Sequence, residues 1–408
     1  MRTQKLTGKP LAWVLTLIYF ASYVTRINLA AVIQEIITDT GFGKSELSVV
    51  LVGLSITYGL GQIVNGILGD HIKPQNLIFM GLLLASGINL ALPFIAHSVA
   101  VMAILWAVNG FAQAMMWPPI VKILVACCDD EMYGYSVVRI SWGSSFGTIA
   151  VYLLAPLIIG FAGWQGVFIT CAAVGLAVTA LWFFLKRGIN IGAQLTSQRV
   201  SDSKEKFRFP KPAVFPMIFI ALGIIFQGML RDGVTSWMPT YLAEVFDFGN
   251  RTSIFCTLSL AVFSIVMFQV AGKIYSRFFR NEVTCGGFIF AFSAAAALLM
   301  FFLFEGGAVI SIAAMTLITG CMHGVNLMLI THVPKRFRKY GSISTISGII
   351  NSCTYIGAAI STYGVALLSE LAGWRSTVGI WFIIALVGTA CCFIAAKPWQ
   401  KFAIDNKE

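Results

Sequence analysis

The chain is divided into apolar runs, each close to or above the ~20 residues that a helix needs to cross a bilayer. This pattern leaves few folds open. The runs fall near 10–37, 45–69, 76–96, 99–127, 133–160 and 164–186, then near 213–243, 250–272, 283–304, 307–332, 341–368 and 373–396. Backbone polar groups in hydrocarbon must be satisfied within their own segment, so runs of this length are read as helices. One long polar stretch, 187–212, rich in Ser, Gln and Lys, separates six runs from six and reads as a linker without a core. The expectation is an all-α membrane protein of twelve transmembrane helices in two six-helix halves, 1–186 and 213–408. Charged residues make up 11% of the chain, against ~25% in soluble domains, and 58% is hydrophobic, which excludes a water-soluble globule. No small-residue cleavage site follows the first run, so it is expected to be a permanent span. The nine cysteines show no C-x-x-C and no metal-like spacing with His, so neither a metal nor another cofactor is expected.

Basic residues fix the expected orientation. With both termini on the cytoplasmic side, 21 Lys and Arg residues lie on that side, in the termini, the linker and the loops after spans two, eight and ten. Only Lys44, Arg251 and Arg375 lie opposite. That asymmetry is the positive-inside pattern. It also accounts for most of the +11 net charge, so no nucleic-acid partner is needed.

Four cations remain inside spans: Arg26, Lys122, Arg139 and Arg231, opposed by Glu35 and Asp232. A mid-span Arg costs about 2.5–3.5 kcal/mol on insertion scales, so it is kept where it faces a polar cavity. Arg26 in the first span and Arg231 in the seventh are 205 positions apart, about half the chain. A cationic interior of this kind attracts anions. Two further landmarks repeat at nearly the same offset. Gly66-Ile-Leu-Gly-Asp70-His-Ile-Lys73 is matched by Gly272-Lys273-Ile-Tyr-Ser-Arg277, and Tyr133-Gly134 by Tyr340-Gly341. The halves are therefore expected to be pseudo-symmetric repeats.

These residues resemble the major facilitator superfamily, whose short loop after span two is similar to Gly66-x-Leu68-x-Asp70-x-x-Lys73. Three segments give a narrower resemblance. They are Tyr23-Val-Thr-Arg26-Ile-Asn28, Gly110-Phe-Ala-Gln113-Ala-Met-Met-Trp117-Pro118-Pro119, and Leu230-Arg231-Asp-Gly233-Val-Thr-Ser-Trp237-Met-Pro239-Thr240-Tyr241-Leu. Together they are similar to the organophosphate:phosphate antiporters, the family of glycerol-3-phosphate and hexose-6-phosphate exchangers. The resemblance implies that Arg26 and Arg231 bind the anionic head and that Asp70 and Lys73 lock the cytoplasmic side. Two positions depart from the family. Gln62 stands where the antiporters carry Lys, and Gly143 stands near where they carry His, with Arg139 one turn earlier. A phosphonate, sulfonate or sugar acid thus fits as well as a phosphate ester.

Other residues keep a functional and a plain reading side by side. Asn28, Tyr23, Tyr58, Gln113 and Trp117 are cavity neighbours, although Trp117-Pro118-Pro119 also reads as a kink. Lys122 lies near the end of span four and is expected to snorkel or to pair with Asp70 or Asp129 as part of the gate. Arg139 serves either substrate or gate. Asp232 is a candidate proton-coupling carboxylate; as the neighbour of Arg231 it projects about 100° away on a helix, which makes direct pairing awkward, although structural ion pairs of Arg26 and Arg231 with Glu35 and Asp232 are the plain alternative. His323 is a substrate contact, a proton relay, or a packed polar group. The polar run from Ser342 through Asn351 to Tyr355 reads as a wet helix face, with close helix packing the alternative.

The resulting expectation is a secondary transporter in a bacterial inner membrane, monomeric, that clamps a small organic anion between Arg26 and Arg231 and alternates access. A counter-anion or a proton would accompany the anion. The alternatives are a proton-coupled sugar-acid symporter and a non-transporting sugar-phosphate sensor on the same fold. No nucleophile–base pair or phosphate-cradling loop supports an enzyme.

Overall fold

The computed structural model describes residues 6–42, 44–95, 97–189, 209–248, 250–304, 306–340 and 342–405, and every regular element among them is helical. Most of the linker expected at 187–212 lies outside the described residues. The helices are α1 (Gly8–Ala31), α2 (Ile33–Thr40), α3 (Lys44–His71), α4 (Pro74–Ile95), α5 (Val99–Gln113), α6 (Trp117–Cys127), α7 (Asp130–Leu185), α8 (Lys211–Phe246), α9 (Asn250–Phe278), α10 (Glu282–Phe302), α11 (Ala308–Asn326) and α12 (Ile343–Asp405). Eleven stretches among the described residues are long and apolar enough to span a membrane. One of these, Asp130–Gly188, runs for 59 residues and is broken at Gly163 (φ 63°, ψ −173°), which divides it between spans five and six. The twelve-helix expectation is met in this way. Large apolar side chains such as Phe161, Phe184, Val309 and Leu371 face outward, as a hydrocarbon surround requires.

Local chemistry sets the element ends. The Asp129 carboxylate accepts the Met132 N–H at 2.8 Å to start α7, and the Asn281 side chain accepts those of Val283 and Thr284 to start α10. Pro118 and Pro119 occupy the first turn of α6, where their missing N–H groups would have no helical partner. Span four is thereby broken into α5 and α6.

The chain forms two compact units, Met1–Lys204 with Tyr340–Ser352, and Glu205–Lys339 with Cys353–Glu408. Each unit uses the same tryptophan ties. In the first, the Trp164 indole N–H donates to Asp39 at 2.8 Å and that of Trp182 to the Gln75 carbonyl at 3.0 Å. In the second, Trp374 donates to Glu244 at 2.8 Å and Trp399 to Glu282 at 3.1 Å. Gly163 and Gly373, immediately before Trp164 and Trp374, both have positive φ, 63° and 74°. Within the first unit, Trp106 and Trp164 both pack edge-on to Phe168, with centroids 5.8 Å away, in the core between α1, α3, α5 and α7.

Candidate anion site on the two units

Arg26 lies on α1 with its guanidinium over the Tyr58 ring at 4.1 Å and the Tyr23 ring at 5.6 Å. Aromatic contacts continue from Tyr23 to Tyr19 (5.2 Å) and on to Trp117 (5.3 Å). Tyr58 and Trp117 are buried. A guanidinium over aromatic faces keeps its charge while losing water, because the ring quadrupole offsets part of the desolvation.

Behind Arg26, polar side chains fix the α1 backbone. The amides of Asn89 and Asn109 both donate to the Thr25 carbonyl, at 2.8 and 3.0 Å. Gln113 donates to the Thr25 hydroxyl at 3.0 Å and accepts from Ser22. Asn28 donates to Asn89 at 2.7 Å. All of these residues are buried. Asn28 and Gln113, read from sequence as cavity neighbours, thus sit in the network that holds the turn carrying Arg26. Ser22 and Asn89 were not singled out in the sequence; their signal was a polar side chain inside an apolar run.

The departure at Gly143 has a steric cause. A Cβ there would lie 2.5 Å from the Thr16 carbonyl oxygen, so a histidine has no room. One turn earlier, the Arg139 guanidinium stacks on Trp142 at 3.9 Å and Tyr135 at 4.8 Å. Gln62 is fully buried, and its amide nitrogen and oxygen have no hydrogen-bond partner among the described residues.

In the second unit, Arg231 takes up the pairing that its adjacency to Asp232 made the less expected reading. Its Nε and Nη2 donate to the two carboxylate oxygens of Asp232 at 2.8 and 2.9 Å, a bidentate pair. The 100° separation governs where the Cα–Cβ bonds point. The long arginine side chain bends back across that angle. The side chains are 17% and 29% exposed. Gln227, one turn before Arg231, donates to the Met322 carbonyl at 3.2 Å and accepts from Thr354 at 3.5 Å. Here α8 and α12 touch backbone to backbone, since a Cβ on Gly228 would lie 2.2 Å from the Thr354 carbonyl oxygen. The His323 Nδ1 lies 2.9 Å from the Thr319 carbonyl oxygen, and its ring meets Phe268 edge-on at 5.3 Å. Arg231 and Asp232 are within electrostatic reach of that ring. Tyr355 is half-buried on α12.

The expected gate residues separate. In the first unit Asp70 accepts the backbone N–H groups of Ser344 (3.1 Å) and Thr345 (2.8 Å) at the start of α12. Lys122 donates to the Gly69 carbonyl at 2.7 Å and pairs with Asp70 at 3.4 Å. Lys73 is exposed. The polar run of α12 is packed tightly in this unit. Ser344, Ser347 and Asn351 are buried, and a Cβ on Gly348 would lie 2.1 Å from the Gln62 carbonyl oxygen. A cleft of about 490 Å³ lies between the end of α2 and the Gly163 break, lined by Glu35, Asp39 and Trp164, and includes none of the arginines.

The profile of the Major Facilitator Superfamily matches residues 15–362, and the chain belongs to that superfamily. It is a multi-pass membrane transporter and not an enzyme. Over 371 residues it is 27% identical to the glycerol-3-phosphate transporter of Bacillus subtilis, covering 84% of this chain and 81% of that one. It is 22% identical to a probable hexose phosphate transport protein of Chlamydia muridarum (92% and 87% covered). It is 24% identical to a probable sulfoacetate transporter of Cupriavidus necator (66% and 65% covered). The fold is similar to that of the E. coli fucose:proton symporter, at TM-score 0.67 and 14% identity over 98% of each chain. It is also similar to a proton:xylose symporter, at TM-score 0.68 and 13% identity over 96% and 94%.

Proposed function

We propose that the protein carries a small organic anion across a bacterial inner membrane, with the anionic head held by Arg26 of one repeat and Arg231 of the other. The observation that carries this reading is the Arg231 fork, which already binds an oxyanion in bidentate fashion through Asp232. The same planar donors fit phosphate, phosphonate or sulfonate oxygens. Arg26 supplies the second cation, on a turn fixed by Thr25 and its amide partners. The names of the relatives, two for phosphate esters and one for sulfoacetate, point the same way.

The anion draws the two repeats together and access alternates about it. Arg139, Tyr23, Tyr58, Trp117, His323, Asn351 and Tyr355 shape the rest of the site, with Gln62 offering its amide where the antiporters carry Lys. Asn28 and Gln113 orient the α1 turn. Asp70, Lys73 and Lys122 act at the cytoplasmic gate, both termini are cytoplasmic, and one chain is the working unit.

The test is glycerol-3-phosphate counterflow in proteoliposomes. Arg26→Gln and Arg231→Gln each abolish it while the protein still inserts. Arg231→Lys fails too, because a point charge does not reproduce the fork. Normal counterflow in either Gln variant removes the arginine pair from the mechanism.

A further inference from the structure

Each of these arginines has a partner within its own unit. Asp232 takes the Nε–Nη2 edge of Arg231, and the Tyr58 and Tyr23 rings take the face of Arg26. We propose that Asp232 is a built-in substitute for substrate: it holds the Arg231 fork whenever no anion does, so the carrier returns unloaded and performs net transport as well as exchange. The inference rests on Arg26 and Arg231 being the anion-binding pair.

Three features distinguish this pair from a structural ion pair. First, a carboxylate on the Nε–Nη2 edge uses the donors that an incoming oxyanion would use, so the two compete. Second, the pair is open. Asp232 is 29% exposed, whereas Glu282, bound bidentately by Arg336 and also by Trp399, is 1% exposed. A competitor can reach the first pair and is excluded from the second. Third, Asp232 is the next residue on the same helix, so its effective concentration at the fork is high and it re-engages as soon as an anion leaves.

The energetic consequence concerns the return step. Two uncompensated cations in a low-dielectric gap repel and oppose closure around an unfilled site, which enforces exchange. Asp232 removes one of those charges, and the tyrosine faces offset part of the other. A carrier built this way does not need a second anion for its return. His323 on α11 is a further titratable group within electrostatic reach of the pair.

The experiment compares two modes with labelled glycerol-3-phosphate in proteoliposomes: net uptake into vesicles free of organic anion, and counterflow into vesicles preloaded with the unlabelled compound. In Asp232→Asn, counterflow stays within about threefold of wild type while net uptake falls about tenfold or more, because only the unloaded return is impaired. Asp232→Ser behaves alike, and Asp232→Glu keeps the wild-type ratio of the two modes. An unchanged ratio in Asn and Ser, or an equal loss of both modes in correctly inserted protein, overturns the proposal. The outcomes separate the two readings. If Arg231→Gln retains counterflow, the anion pair itself fails. If Arg231→Gln loses counterflow but Asp232→Asn leaves the ratio unchanged, only the substitute role fails. A wild type inactive in both modes, with labelled glycerol-3-phosphate, a phosphonate, sulfoacetate and a sugar acid alike, overturns both.

Discussion

Gly143 meets Thr16 at a distance that admits no side chain: a Cβ on the glycine would stand 2.5 Å from the threonine's carbonyl oxygen. One turn along, Gly147 would place a Cβ 2.8 Å from the Phe20 carbonyl oxygen. α7 therefore lies against the backbone of α1 just ahead of Arg26. Introducing a histidine at 143 is expected to disrupt this contact. Gly143→Ala should cost about 1–3 kcal/mol by overpacking, and Gly143→His more. The melting temperature of detergent-solubilised protein reads the loss; a stable Gly143→His would show that the helices separate at little cost.

Asp70 joins two backbone N–H donors and the Lys122 ammonium while only 5% exposed. Removing the carboxylate takes the acceptor from two backbone amides and the counter-charge from the Lys122 ammonium, which keeps its bond to the Gly69 carbonyl. Asp70→Ala is expected to destabilise by about 3–5 kcal/mol, the range for breaking a buried pair from one side. Lys122→Ala, which leaves the α12 amides bound, should cost less. A thermal ranking with Lys122→Ala as the worse variant would assign the energy to the ammonium instead.

The Thr25 hydroxyl bonds Gln113 beside Arg26. Thr25→Val keeps the shape, removes the acceptor and leaves one buried N–H of the Gln113 amide without it, at a cost of about 1–3 kcal/mol. Since the turn that carries Arg26 loosens, anion affinity should fall several-fold with little change in expression. Unaltered affinity, read by anion-dependent thermal stabilisation, would mean that the backbone contacts of Asn89 and Asn109 suffice.

Trp164→Phe and Trp374→Phe each delete an indole N–H from an exposed carboxylate, Asp39 or Glu244. Each should lower stability by about 1 kcal/mol, since water competes for carboxylates at the surface. Similar losses are expected because the same tie recurs in each unit. A loss confined to one of them would mark the recurrence as geometric only.

The spans were legible in the sequence because helices surrounded by lipid must be apolar over a fixed length, a constraint that acts on every residue at once. Arg26 and Arg231 were legible for the converse reason, as costly exceptions. The tryptophan repeat was hidden because Asp39 and Glu244 differ in identity and each lies more than a hundred residues from its partner. The Thr25 network was hidden because single Asn and Gln residues in apolar runs do not reveal which carbonyl they reach. The Arg231–Asp232 pair was the less expected alternative because helix geometry fixes where a side chain starts, and four rotatable bonds decide where a guanidinium ends.

The Thr25 carbonyl, held by amides from α4 and α5, has a mechanical meaning. A cation on a freely swivelling side chain would absorb an anion's pull locally, as slack. Arg26 projects from a backbone fastened to two other helices, so the first joint lies beyond the α1 turn. Force applied at its guanidinium loads α1, α4 and α5 together.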